Sequence, residues 1–297
     1  MKRRNFLQGA GATAALAALP LPIVAQNERQ ALATRPIPST GEPLPVVGFG
    51  SSSVFSSENF SGASELLDAL RNAGGKFIDT WPAAQATFGR YAREHAAHAD
   101  LFLATNIRTE TETSDLAAIE MAKKAQDKRV LDMLQLARPD DFRTQWQRML
   151  RWKEEGHGKY VGIAISRSSL YGMVEAAITN GADFVQINYS MLEPEAGERL
   201  IPLARDNGVA VITNRPFVNG QYFPMIAGKE LPAWSADFDC HSWAQFSLKW
   251  ILGNPLVNCA ITETSKVHHA VDNLSAGTGR FPDEAERARM QALLSAI

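Results

Sequence analysis

Cysteine is almost absent: the chain has 297 residues and only two cysteines, Cys240 and Cys259. One stands at an expected helix start and the other inside an expected strand, so a disulfide is not expected. Both are read as free, mostly buried thiols. Their spacing and number give no zinc pattern, so no metal is expected. Positive charge is not in excess either. The formal net charge is −2, which argues against nucleic acid and anionic membrane surfaces as partners. The apolar stretch from Gly9 to Val24 is too short, and too rich in Ala and Gly, to span a bilayer comfortably. No stable membrane anchor is therefore expected. No internal repeat, low-complexity segment or interdomain linker divides the chain.

What is present at the N-terminus is an address. Arg3-Arg4-Asn5-Phe6-Leu7-Gln8 resembles the twin-arginine motif, and the apolar stretch follows it. A charged start, a modest apolar core and a small residue such as Ala25 read as a cleaved signal. The signal is expected to cover residues 1–25, with Ala33 as the alternative end, and the body residues 34–297. Pro20 and Pro22 argue against a buried helix in this stretch. Such a signal implies export of a folded protein to the periplasm. Losing Lys2, Arg3 and Arg4 would take the formal charge from −2 to −5.

The rest of the chain alternates apolar, β-rich runs with amphipathic helical stretches. Strands are expected at Pro45–Phe49, Lys76–Asp79, Leu101–Thr105, Leu131–Leu136, Tyr160–Ile165, Phe184–Asn188, Val209–Thr213 and Asn258–Ile261. Helices are expected at Ser64–Asn72, Asp115–Ala125, Asp141–Glu155 and Ser169–Asn180, among others. Near-continuous apolar strands separated by helices indicate a parallel sheet covered on both faces. Gly74, Gly156, Gly181 and Gly208 punctuate helix ends. Eight such units predict an α/β fold, a single-domain (β/α)8 TIM barrel. Residues Pro282–Ile297 read as a C-terminal helix packed on it. A doubly wound sheet is the alternative, but no glycine-rich dinucleotide fingerprint follows the first strand.

Several motifs carry a resemblance to the aldo-keto reductase family, in its twin-arginine-exported branch. Leu44-Pro45-Val46-Val47-Gly48-Phe49-Gly50 resembles the family's opening strand, and Val185-Gln186-Ile187-Asn188-Tyr189-Ser190 resembles its sixth. Asn214-Arg215-Pro216-Phe217 and Phe246 to Leu252 are similar to the exported branch. Phe77-Ile78-Asp79-Thr80-Trp81-Pro82 resembles "IDTSPxYG", but Ala84 stands where the resemblance implies the catalytic Tyr. Leu103-Ala104-Thr105-Asn106 resembles "LATK" with Asn106 for the Lys. Leu134-Gln135-Leu136-Ala137 resembles "LQVH" with Ala137 for the His. Of the implied catalytic four, Asp79 is retained. In the family the Tyr protonates the substrate carbonyl, the Lys tunes it, the Asp pairs with the Lys and the His orients the carbonyl. Two alanines and an amide supply none of these functions.

The resemblance also implies NADPH as cofactor, held by Gln186, Tyr189, Thr264, Ser265, Lys266, His269 and Asn273. The resemblance implies a site eroded in places: Ala164 and Ile165 replace the family's Ser-Asn pair, and Thr262 and Glu263 its Pro-Gly. Substrate contacts are expected from Trp81, Arg138 and Arg215 at the C-terminal ends of the strands. Asp79 is expected to accept hydrogen bonds from Asn106 or Thr80. Three functions stay open. The chain is an exported reductase scaffold without normal carbonyl reductase activity, binding a small molecule or a protein partner. Alternatively it is an active NADPH oxidoreductase with substitute acids such as Tyr91 or Asp140. The third is a nucleotide-independent enzyme using Asp79 and the barrel-mouth arginines.

Overall fold

The computed structural model describes residues 31–50, 54–108, 111–137 and 139–296. The leader read at residues 1–25, and Arg138, lie outside the described residues. Eight parallel strands close on themselves in chain order: β3 (Val47–Phe49), β4 (Phe77–Thr80), β5 (Phe102–Ile107), β6 (Leu131–Ala137), β7 (Gly158–Ala164), β8 (Phe184–Asn188), β9 (Ala210–Asn214) and β10 (Cys259–Thr262), with β10 pairing back to β3. Around them run α1 (Phe60–Asn72), α2 (Gln85–Glu94), α3 (Glu112–Gln126), α4 (Phe142–Glu154), α5 (Tyr171–Thr179) and α6 (Leu200–Asp206). The one-turn α7 (Tyr222–Met225) precedes α8 (Trp243–Leu252), α9 (Val267–Ser275) and the C-terminal α10 (Glu284–Ser295). This is the expected (β/α)8 barrel. Gly74, Gly156, Gly181 and Gly208 all take positive φ, the conformation for which glycine carries no Cβ penalty.

One expectation is corrected at the start. The run Pro45–Phe49 is split: β2 (Pro43–Pro45) pairs antiparallel with β1 (Thr34–Pro36), and only Val47–Phe49 enters the barrel. This hairpin brings Ile37 and Leu44 into one buried cluster with Phe77, Phe102, Tyr160 and Phe184. Glu42, in its turn, receives hydrogen bonds from Lys159 at 2.5 Å, Tyr160 at 2.9 Å and Lys76 at 3.3 Å. Burial acts to raise the Glu42 carboxyl, but these donors outweigh it and hold it at about 2. Leu32 is buried, and the Ala33 amide donates to the Gly277 carbonyl at 2.9 Å. Leu32 and Ala33 are thus packed and hydrogen-bonded onto the barrel.

Side chains in a strand point alternately to its two faces. The barrel's lower interior is filled by Phe77, Phe102, Met133, Tyr160, Phe184 and Ile212. Two residues further along four of these strands, the facing side chains become polar: Asp79, Gln135, Gln186 and Asn214. Asn106 is four beyond Phe102 with the small Ala104 between. Apolar packing below and polar groups above define the candidate mouth. Cys240 and Cys259 are both free and buried.

Candidate functional site at the barrel mouth

Asp79 sits at the centre of a network of amides. Its Oδ1 accepts from Asn106 Nδ2 at 2.6 Å and from Gln135 Nε2 at 2.9 Å, and its Oδ2 from Gln186 Nε2 at 3.4 Å. The Trp81 side chain bonds it as well. Asn106 also donates to the Thr80 carbonyl at 3.2 Å and accepts from Gln135 at 3.0 Å. Burial raises the Asp79 carboxyl, and bonds from Asn106, Gln186, Gln135 and Trp81 only partly offset this. Among the described residues no cation pairs with it. The expected Asn106 bond is present. Thr80 contributes its carbonyl to Asn106, while its hydroxyl turns to the Ile78 carbonyl.

Ala84 and Ala137 are each 1% exposed. Ala84 ends the turn Pro82–Ala84 that leads into α2, and Ala137 ends β6. Neither side chain brings a proton or lone pair. The substitute acids fare no better. The Tyr91 hydroxyl donates to Asp68 and accepts from Arg71, both on α1. It is thus engaged outside the barrel. Asp140 is exposed, and the Gln145 amide and local backbone hold its carboxyl below the usual range.

The residues assigned to nucleotide binding lie at the end of β8, in the loop after β10 and on α9. Gln186 is on the Asp79 network. Tyr189 is buried against Trp250, with ring centroids 5.1 Å apart, and its hydroxyl is bound by Arg287 at 2.6 Å. Its ring therefore faces the C-terminal helix and not the mouth. The reason is parity: Asn188 faces the barrel interior, so its neighbour faces out. Thr264, Ser265 and Lys266 precede α9, and Lys266 and His269 are exposed. Burial, then the charges of His268 and Lys266, lower the His269 imidazole. Asn273 is buried in α9.

A polar cleft of about 570 Å³ opens between the ends of β7, β8 and β9. Ser166, Arg167, Ser168, Asn188, Glu193 and Arg215 are among its lining. Arg215 grips Glu193 with two hydrogen bonds, at 2.9 and 3.2 Å. The same carboxylate accepts from Asn188 Nδ2 at 3.1 Å. The β9 loop is strained: Arg215, Val218 and Asn219 have φ of 56°, 46° and 54°, values that side chains disfavour and that cluster at functional loops. Tyr171 donates to the Asn188 carbonyl at 3.3 Å. Burial first, then Glu195 and Glu193, push its phenol up to about 12. Glu193 and Tyr171 were not singled out by sequence. Their signal is position only: each follows the C-terminal end of a strand.

The comparisons agree with this architecture. Residues 46–294 match the model of the aldo/keto reductase family, and residues 1–20 match that of twin-arginine translocation pathway signal sequences. An aldo-keto reductase from Bacillus halodurans in its holo form is 17% identical with a TM-score of 0.71, covering 88% of this chain and 96% of its own. One from Klebsiella pneumoniae in complex with NADPH is 18% identical with a TM-score of 0.71, covering 89% and 95%. An aldo/keto reductase from Brucella melitensis is 20% identical with a TM-score of 0.70, covering 89% and 100%. No curated protein matches the chain in sequence. With the family model spanning most of the sequence and the same barrel in the structure, the chain belongs to the aldo/keto reductase family and carries a twin-arginine signal sequence.

Proposed function

We propose that the protein is an exported member of this family without ordinary carbonyl reductase turnover, using its barrel mouth as a binding site. The observation that carries this reading is the Asp79 network. The residue standing against the carboxylate is the neutral Asn106, 2.6 Å away. An amide has no charge with which to depress a phenol, and Ala84 has no phenol to depress. Ala137 cannot orient a carbonyl. General acid–base help is worth on the order of 10²–10⁴-fold in rate, so losing the whole set removes most turnover. Twin-arginine export to the periplasm fits the folded, single-domain body. Cleavage near Ala25 leaves Leu32 in its buried place, whereas cleavage at Ala33 would remove it.

NADPH is the cofactor this family's resemblance implies, and at the nicotinamide end the chain keeps Gln186 while the stacking ring and the Ser-Asn pair are altered. Tyr189, the expected stacking ring, is covered by Trp250 and bound by Arg287. Ile165 is buried, and its carbonyl is taken by the Asn214 amide at 2.8 Å. The exposed Lys266 ahead of α9 favours the opposing reading, an NADPH oxidoreductase. That reading needs an acid, and both Tyr91 and Asp140 are engaged elsewhere. A nucleotide-independent reaction through Asp79 is disfavoured because its carboxylate is enclosed by amides.

The test is reduction of a nitrobenzaldehyde by the purified mature chain with NADPH. The expected rate equals that of a heat-inactivated control. A turnover of about 1 s⁻¹, in the ordinary enzyme range, would overturn the proposal. Calorimetry with NADPH separates absent binding from absent chemistry.

A further inference from the structure

The C-terminal helix reaches the barrel mouth from behind. Of the 12 residues of α10, only Met290 and Leu294 are buried, so apolar packing holds it at two points. Arg287 and Gln291, one turn apart on the same face, add directed bonds. Arg287 donates to the Trp250 carbonyl at 2.8 Å and to the Tyr189 hydroxyl at 2.6 Å, with its guanidinium 4.6 Å from the Trp250 ring centroid. The Trp250 indole donates back to the Arg287 carbonyl at 3.2 Å. Gln291 Nε2 donates to the Met191 carbonyl at 2.8 Å. Tyr189 and Met191 are both buried and flank Ser190 in the loop that leaves β8.

That loop passes the restraint on to the next one. Ser190 closes a turn with Glu193: the Ser190 amide donates to the Glu193 carbonyl at 3.1 Å, and Ser190 Oγ accepts from the Glu193 amide at 3.1 Å. The Glu193 carboxylate accepts from Asn188 Nδ2 and from Arg215, the latter at 2.9 and 3.2 Å. Arg215 opens the β9 loop, in which Arg215, Val218 and Asn219 all have positive φ. For a β-branched residue such as Val218 this is an outlier. Such strain persists only where surrounding contacts over-determine it. Ser247 supplies one such contact, donating from α8 to the Pro216 carbonyl at 2.8 Å. Glu193 supplies the other, at Arg215. The loop thus has a relaxed alternative, with these residues at negative φ, and Glu193 opposes it.

We infer that α10 is a strap on the mouth: Arg287 and Gln291 hold the β8 loop, Glu193 carries that restraint to Arg215, and the strained β9 loop keeps its shape only while the helix is docked. Arg287 is thus a positioning residue for a cleft that it does not line. The inference is independent of whether the mouth reduces a substrate.

The experiment is hydrogen–deuterium exchange of the purified mature chain at neutral pH, read by mass spectrometry of peptides covering the β8 loop, the β9 loop and the N-terminal hairpin. In Arg287→Ala, exchange in residues 189–193 and 215–220 should rise about tenfold or more, while the hairpin at 34–45 stays as in wild type. Tyr189→Phe keeps the ring against Trp250 and removes only the hydroxyl, and should loosen both loops in the same direction. Glu193→Gln should loosen the β9 loop, because the Arg215 charge loses its partner. Circular dichroism checks that each variant folds. Should Arg287→Ala not fold, Tyr189→Phe and Gln291→Ala decide the matter by the same readings. If Arg287 merely packs α10 onto Trp250, Tyr189→Phe leaves both loops at wild-type rates and the inference fails. It also fails if folded Arg287→Ala exchanges its β9 loop at the wild-type rate, or if exchange rises equally in the hairpin. An unchanged β9 loop in Glu193→Gln would overturn it as well.

Discussion

Asn106 donates its Nδ2 to Asp79 Oδ1 over 2.6 Å, and the same amide nitrogen reaches the Thr80 carbonyl at 3.2 Å. Both partners are acceptors, so the amide can face only one way. Gln135 closes the triangle, donating to both Asp79 and Asn106. A carboxylate that would pair with a cation is instead solvated by neutral dipoles. Hydrogen bonds to a buried charge lessen its desolvation cost but need not cancel it.

The pH dependence of stability follows from that balance. Burial raises the Asp79 carboxyl above its usual range, and the surrounding amides and Trp81 only partly oppose this. A raised carboxyl binds its proton more tightly in the folded chain. Its effect therefore favours folding at low pH and is lost as pH rises from the unfolded carboxylate value, about 3.9, through the folded one. Asp79→Asn should thus be more stable than wild type at pH 7–8, by about 1–3 kcal/mol. The gap should close toward pH 3. Thermal unfolding across pH checks this, and a variant less stable at pH 8 would contradict it.

Restoring the missing groups tests whether their loss is the whole defect. Ala84→Tyr, Asn106→Lys and Ala137→His together should produce NADPH-dependent nitrobenzaldehyde reduction above background, well below ordinary turnover. Each single change should give none, because groups that act as a unit are not additive. Ala84 and Ala137 are each 1% exposed, so the larger side chains need local repacking. That should cost about 1–3 kcal/mol at each site. A folded triple variant that binds NADPH and reduces nothing would show that the pocket is reshaped beyond these positions.

Close packing of α2 on α3 can be tested at Gly89. A Cβ there would lie 1.9 Å from the Ala125 carbonyl oxygen, so backbone would have to move. Gly89→Ala should destabilise by about 1–3 kcal/mol, read as a lower denaturant midpoint at unchanged slope. An unchanged midpoint would mean that the helices separate freely.

Export is tested at the signal. Replacing Arg3 and Arg4 with Lys together should leave the precursor in the cytoplasm, measured by cell fractionation. Unchanged accumulation in the periplasm would rule out twin-arginine export.

The sequence by itself determined the barrel. Eight apolar runs fall on the eight barrel strands because a strand buried on both faces cannot alternate with polar residues, and the helix-ending glycines mark the breaks. It also carried the family and the identities of Ala84, Asn106 and Ala137, since a missing hydroxyl or amine is visible without coordinates. Tertiary structure decided which groups meet. The alternation of β8 sends Asn188 inward and Tyr189 outward under α10, a one-residue difference that motif matching at Val185 to Ser190 did not resolve. Pairing of Glu193 with Arg215 spans two loops, and engagement of Tyr91 by Asp68 and Arg71 depends on how α2 packs on α1. The split of Pro45–Phe49 into a hairpin strand and a barrel strand was likewise set by partners distant in the chain. Such contacts arise from closure of the barrel, where residues far apart in sequence become neighbours, and local pattern carries no record of them.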